Sequence, residues 1–194
     1  MTQESNEAEV MKAKICLVGE AAVGKTSLIR RYVLDLFEDL YIATLGAKVT
    51  KREVFLPKIN GGKGVKVNLM IWDIMGEKGF RELLKEAYFH GAQGVLAVCD
   101  VTRKDTLLEL KNWIDSVTKV TGDIPVRFVV NKMDLTDEAQ FGEDEVMSIS
   151  EEMGSSYIMT SAKTGEGVAQ SFEEIARLVA KNHAKRREKP LPPQ

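Results

Sequence analysis

Hydrophobic and polar positions along the chain fall into two periods that take turns. The stretch Lys12–Val18 carries the apolar run Ile15-Cys16-Leu17-Val18 and reads as a buried strand. A helix follows from Lys25 to about Leu36, with Leu28, Ile29, Tyr32 and Val33 on one face. Lys48–Leu56 and Val65–Trp72 return to strand patterning; in the second, Val65, Val67, Leu69 and Ile71 alternate with Lys66, Asn68, Met70 and Trp72. Between them, residues 57–64 hold Asn-Gly and Gly-Gly turn signals, which predict an antiparallel hairpin with a long tip. Downstream, Gly94–Val101 is a continuous apolar run, as a strand covered on both faces should be. Then come a helix over Asp105–Val120 (Leu107, Leu110, Ile114 and Val117 inward), a strand over Val126–Val130 and a helix over Glu143–Met153. A short strand over Tyr157–Thr160 and a helix over Val168–Lys181, with Val168, Phe172, Ile175 and Val179 inward, complete the series. Such alternation predicts a mostly parallel six-stranded α/β sheet with one antiparallel strand and helices on both faces. Ligands of such sheets bind at the carboxyl ends of the strands.

The flanks lack this patterning. Residues 1–11 read as a disordered lead-in, 12–183 as one domain, and 184–194 as a basic, then proline-rich, unstructured tail. With 194 residues, one domain can bury a substantial core. The 27 Lys and Arg against 29 Asp and Glu give a net charge of −2, so nothing draws the chain to nucleic acid. Cys16 and Cys99 both lie in apolar runs, which predicts buried, reduced thiols in neighbouring strands and a cytoplasmic protein. No apolar stretch approaches the roughly 20 residues of a membrane span. The N-terminus is polar and acidic and Thr2 stands where myristoylation needs glycine, so neither a secretory signal nor that lipid is expected. A monomer is expected.

Four short motifs end predicted strands. Gly19-Glu20-Ala21-Ala22-Val23-Gly24-Lys25-Thr26 fits G-x-x-x-x-G-K-S/T between a strand and a helix beginning Ser27-Leu28. Its glycines permit a tight turn whose successive N–H groups point at phosphate oxygens at a helix N-terminus. Lys25 would bring a point charge to the terminal phosphates and Thr26 a hydroxyl to Mg²⁺. Asp73-Ile74-Met75-Gly76 follows the hairpin strand, where a carboxylate can hold the Mg²⁺ shell and a glycine N–H can meet a phosphate oxygen. Alone, D-x-x-G ends many strands. Asn131-Lys132-Met133-Asp134 closes the Val126–Val130 strand; an aspartate there can accept from guanine N1–H and the N2 amine, although asparagine-lysine is equally an ordinary turn. Ser161-Ala162-Lys163 closes the last strand and could offer an N–H to guanine O6.

In this order, each motif after its own strand, the chain resembles a Ras-superfamily small GTPase, closest to the Rab branch, from Lys12 to about His183. The resemblance implies a P-loop GTPase (Ras-like) domain that binds GTP or GDP with Mg²⁺ and acts as a molecular switch hydrolysing GTP. It gives Glu20, Ala21, Ala22, Val23, Gly24, Lys25, Thr26 and Ser27 to the phosphates, and Asn131, Lys132, Asp134, Leu135, Ser161, Ala162 and Lys163 to the base. Phe37 would pack against the base edge, and Tyr41 would line the nucleotide within the first switch, Tyr41–Gly46. Thr26, Thr44 and Asp73 would hold the metal; Lys25, Gly76 and Glu77 would form the hydrolytic set. A GTPase-activating protein, an exchange factor and effectors would read residues 38–46 and 73–90, through loops ordered by γ-phosphate.

Departures cluster where hydrolysis happens. Glu77 replaces the family's water-orienting glutamine, and Ile74 and Met75 replace its usual threonine and alanine. Ala21 and Ala22 stand where glycine or small residues are common. The alternative is therefore a nucleotide-dependent binding or scaffold module with negligible hydrolysis. No arginine suggests itself in cis, so an activating partner is expected to supply one. The final Leu191-Pro192-Pro193-Gln194 has no cysteine, so no prenyl anchor is expected, at most weak contact of Lys185–Lys189 with a membrane surface. Trp72 and Trp113 read as packing residues, and His90 as a helix-end residue.

Overall fold

A computed structural model describes residues 9–38, 43–44, 46–57, 64–77 and 86–188. Six strands form one mixed sheet: β1 (Glu9–Val18), β2 (Ala47–Leu56), β3 (Val65–Ile74), β4 (Gly94–Asp100), β5 (Val126–Asn131) and β6 (Tyr157–Met159), in the order β2-β3-β1-β4-β5-β6. Only β2 runs antiparallel, paired with β3 from Ala47 opposite Ile74 to Leu56 opposite Val65. The expected hairpin is therefore present; its tip, residues 58–63, lies outside the described residues. The helices are α1 (Lys25–Leu34), α2 (Lys104–Leu108), α3 (Leu110–Thr121), α4 (Glu143–Glu152) and α5 (Val168–Glu188), with a 3₁₀ turn at Met133–Glu138.

Two apolar layers sandwich the sheet because successive strand side chains point to opposite faces. On β1, Ala13, Ile15 and Leu17 pack with Leu28 and Ile29 of α1 and Phe172, Ile175 and Val179 of α5. Cys16 and Val18 pack on the other side with Leu110, Trp113, Ile114 and Val117 of α3 and Val146 of α4. Cys16 and Cys99 are buried free thiols on the neighbouring strands β1 and β4. Across the first layer, the Tyr32 and Phe172 rings stack 4.1 Å apart and 5° from parallel, joining α1 to α5. Among the described residues, no helix is long and apolar enough to cross a membrane.

Four of the differences between the observed element limits and the sequence expectation have a visible structural cause. α1 stops at Leu34 because Asp35 turns left-handed, at φ 54°, and its N–H returns to Arg31 O. The helix expected over Asp105–Val120 is broken at Glu109, whose ψ of −13° departs from the helical value of about −42°. The other two concern the flanks, and they meet. β1 begins at Glu9 rather than Lys12, and α5 continues to Glu188, through residues expected to be unstructured. Arg187 pairs with Glu9 at 2.5 Å, Arg186 donates to Asp123 O at 3.2 Å, and Glu9 N donates to Gly64 O at 3.1 Å. Three basic residues in the last turn also suit the negative end of the helix.

Phe172 is fully buried and carries the α1–α5 contact. Phe172→Ala is expected to lower unfolding free energy by about 3–5 kcal/mol in urea denaturation, from lost burial and the remaining cavity. A loss under about 1 kcal/mol would mean that α5 repacks onto Tyr32.

Candidate functional site

The carboxyl ends of the five parallel strands deliver Val18, Ile74, Asp100, Asn131 and Met159 to one edge of the sheet, and the loops leaving them enclose a cleft of about 410 Å³. Ala21, Ala22, Gly24, Lys25, Thr26 and Ser27 line one end; Asn131, Lys132, Asp134, Leu135, Ala162 and Lys163 line the other. Phe37, Thr44, Gly76 and Glu77 border it from the remaining loops. Four sequence motifs, spread over 145 positions from Gly19 to Lys163, thus form one concavity.

The loop after β1 has the backbone expected of a cradle. Gly19 and Gly24 take φ 135° and 98°, and Ala22 is left-handed at 62°. A Cβ on Gly24 would lie 2.2 Å from Asn131 Nδ2, so glycine is required by the neighbouring loop as well as by its own turn. Lys25 is buried and folds back over the loop, donating to Gly19 O at 2.7 Å and Glu20 O at 2.8 Å. Burial pushes its ammonium down to about 8; Asp73 and Glu20 oppose this and Arg103 adds to it. A cation held from water with only carbonyls for partners leaves the loop short of negative charge.

Beside it, Thr26 Oγ1 donates to Asp73 Oδ2 at 2.6 Å and lies 3.0 Å from Thr44 Oγ1. Burial raises the Asp73 carboxyl, against the Thr26 hydrogen bond and the charge of Lys25. Asp73 Oδ1 is buried and has no hydrogen-bond partner among the described residues. An orphaned carboxylate oxygen next to two hydroxyls suits a hard cation with oxygen ligands. No three His, Cys, Asp or Glu side chains converge among the described residues, so such a cation would draw its other ligands from a bound phosphate and water. The three residues expected to hold the metal are thus brought together, and they fit it.

At the other end, Asn131 Nδ2 donates to Val23 O at 2.9 Å, while its Oδ1 accepts from Ala162 N at 3.1 Å and Thr160 Oγ1 at 3.2 Å. Its amide fastens three loops. Asp134 Oδ1 accepts from Ser161 Oγ at 2.6 Å, which holds the carboxylate at the cleft wall. Not every expected residue faces the cleft. Val23 packs into the apolar core, and Ser161 acts through Asp134. Glu20 turns its carboxylate to Trp113 Nε1 at 3.0 Å, giving that packing tryptophan a polar duty. Tyr41 lies outside the described residues, as do 39–42, 45 and 78–85 of the two expected switch segments. Gly76 is pressed against the phosphate loop: a Cβ there would sit 2.5 Å from Glu20 C and 2.6 Å from Ala21 N. Glu77, next to it, is exposed at the rim, and Met75 is buried with its N–H on Gly46 O at 3.1 Å.

Two arginines escaped the sequence reading. Arg31, on α1, donates from Nε to Ala162 O at 2.8 Å and from Nη2 to Lys163 O at 2.6 Å, bracing the Ser161–Lys163 loop. Arg103, just after β4, donates from Nη2 to Ala21 O at 2.8 Å, so an arginine does reach the phosphate loop in cis. Neither has a spacing signal, because its acceptor is a backbone carbonyl about 80 or more positions away.

The sequence is similar to those of known proteins. The Ras family model matches residues 14–181. Rab-21 of Homo sapiens is 36% identical over 165 residues, covering 84% of this chain and 70% of that protein. Rab-21 of the sponge Geodia cydonium is 34% identical over 170 residues, covering 87% and 71%, and human Rab-8B is 32% identical over 165 residues, covering 84% and 76%. With the phosphate cradle, the converging Thr26, Thr44 and Asp73 and the Asn131–Asp134 wall already assembled at one sheet edge, these matches make the chain a member of the Ras family of small GTPases, close to the Rab branch.

Proposed function

We propose that this protein is a guanine-nucleotide switch that holds GTP or GDP with Mg²⁺ in the cleft and hydrolyses GTP slowly. The observation that carries the reading is Asp73 Oδ1, a buried acceptor without a hydrogen-bond partner among the described residues, on a carboxylate whose Oδ2 accepts from Thr26 Oγ1 at 2.6 Å. When bound, Mg²⁺ would supply positive charge against the phosphates of the nucleotide. Thr26 and Thr44 would contribute hydroxyl oxygens to it, with Asp73 turning the shell. Lys25 is already desolvated and poised over the loop, so its charge acts on an anion with less screening than in water. Asp134 keeps one carboxylate oxygen, Oδ2, for the N1–H and N2 amine of guanine, and Ala162 and Lys163 border the far edge of the base. Phe37 and Lys132 both line the cleft, where Phe37 would flank the base and Lys132 would pack along it.

Glu77 is the residue on which hydrolysis turns. As a carboxylate at the exposed rim it would accept a proton from the attacking water, where an amide would only orient it. Gly76 would offer its N–H to the terminal phosphate, and a partner protein would add a further arginine. Residues 38–46 and 73–90 would present the state of the nucleotide to an activating protein, an exchange factor and effectors. The second reading, a binding module with negligible hydrolysis, draws on the same Glu77, since a negative charge facing a triphosphate is disfavoured there.

Identification of the nucleotide that survives purification, followed by single-turnover cleavage, separates the two. GDP or GTP at near one per chain and a slow, measurable cleavage are expected. Glu77→Ala should cut the cleavage rate by about tenfold or more and leave GDP affinity within about twofold. An unchanged rate would favour the binding module. Independently, Mg²⁺ added with GDP should raise the melting temperature of the wild type by several degrees, on the order expected for a ligand far above its Kd. Asp73→Ala should lose most of that Mg²⁺-dependent increment; retention of it would remove Asp73 from the metal site.

A further inference from the structure

Arg103 leaves β4 with its guanidinium divided between two acceptors. Nη2 donates to Ala21 O at 2.8 Å, and Nε meets Asp100 Oδ2 at 3.3 Å. Asp100 closes β4 and is 1% exposed. The same Oδ2 receives Lys132 Nζ at 2.6 Å, while Oδ1 accepts from Thr102 N at 3.0 Å and Thr102 Oγ1 at 2.8 Å. One continuous line of charge-assisted bonds therefore runs from the Ala21 carbonyl through Arg103 and Asp100 to Lys132. Its two ends lie in the loop at the phosphate end of the cleft and the loop at the base end.

Backbone conformation marks the same two ends. Among the described residues, only three other than glycine have positive φ, and two of them are Ala22 at 62°, beside Ala21, and Lys132 at 67°. Such conformations persist where surrounding contacts over-determine them. The middle of the line is rigid. Asp100 pairs with Asn131 in the sheet, its N–H is bonded to Thr106 Oγ1 at 3.0 Å, and Val101 N donates to Asn131 O at 3.1 Å. Arginine suits the junction because its planar fork can address two acceptors at fixed angles, which a lysine ammonium does not.

We propose that Arg103–Asp100–Lys132 is a positioning strap that couples the phosphate end of the cleft to the base end, with Arg103 as a positioning residue acting through the phosphate loop. Contacts made at one end then strengthen those at the other, so discrimination at the base depends on a residue far from the base. This rests on the cleft being a guanine-nucleotide site.

The test compares GDP with inosine diphosphate, which lacks only the N2 amine facing Asp134. Dissociation constants for both are measured on the full chain by displacement of a fluorescent GDP. Weak binding of every guanine nucleotide by the wild type would sink the underlying reading itself. With that reading intact, Arg103→Ala should weaken GDP by about tenfold, as befits a half-exposed charged hydrogen bond. It should also shrink the GDP preference over inosine diphosphate by about threefold or more, the mark of two coupled sites. Arg103→Lys, which keeps the charge and loses the fork, should shrink the preference similarly. Asp100→Asn, of the same shape without the charge, should move it in the same direction and serves if Arg103→Ala misfolds. A loss of GDP affinity with the preference unchanged would reduce Arg103 to a local prop of the phosphate loop, and no change in either would remove the strap.

Discussion

One buried amide holds the cleft together. Asn131 is 1% exposed, and its donor and its acceptor are both engaged, on Val23 of the phosphate loop and on Ala162 and Thr160 of the last loop. An unsatisfied amide in this position would cost about 1–3 kcal/mol per lost partner, so the three loops stay in register or the site is lost. The same side chain explains Gly24, whose missing Cβ is the space Asn131 Nδ2 occupies. Two residues that read as separate nucleotide motifs are therefore a single packing contact. The strand order makes it possible: β4 lies between β1 and β5, and each parallel strand ends at the same edge.

Burial sets the charges in the cleft against one another. Burial depresses the Lys25 ammonium and elevates the Asp73 carboxyl, opposite shifts with one cause. Asp100 goes the other way: burial works against its charge, and hydrogen bonds from Lys132 and Thr102 more than offset that, holding it below the ordinary carboxylate value. The contrast separates a carboxylate with both oxygens engaged from one whose Oδ1 has no hydrogen-bond partner among the described residues. A site of the second kind gains stability from whatever completes it, so folding and occupancy are thermodynamically linked.

The architecture was legible in the sequence because its signals are local. Alternation on β3, the unbroken apolar run of β4 and the helical stripes on α1, α3 and α5 each follow from a face that must be buried. The candidate site was legible wherever chemistry demands adjacency in the chain, as in Gly19–Thr26 and Asn131–Asp134. It was not legible where the contact is long-range and lands on backbone, as for Arg31 on Ala162 O and Arg103 on Ala21 O, since any residue supplies a carbonyl. Trp113 was read as core and is core, yet its indole N–H also holds Glu20. The flanks misled for a similar reason: Glu9 and Arg187 are exposed charges 178 positions apart, and only the fold brings them to 2.5 Å.

That pairing of Glu9 with Arg187 has a geometric result. Glu9 begins β1 and Arg187 lies in the last turn of α5, so the described chain enters and leaves at the amino-terminal edge of the parallel strands. The cleft lies at the carboxyl edge, one ten-residue strand away, about 30 Å. A tether at either flank would hold the molecule by one pole and leave the other pointing outward, so attachment and recognition need never compete for the same surface.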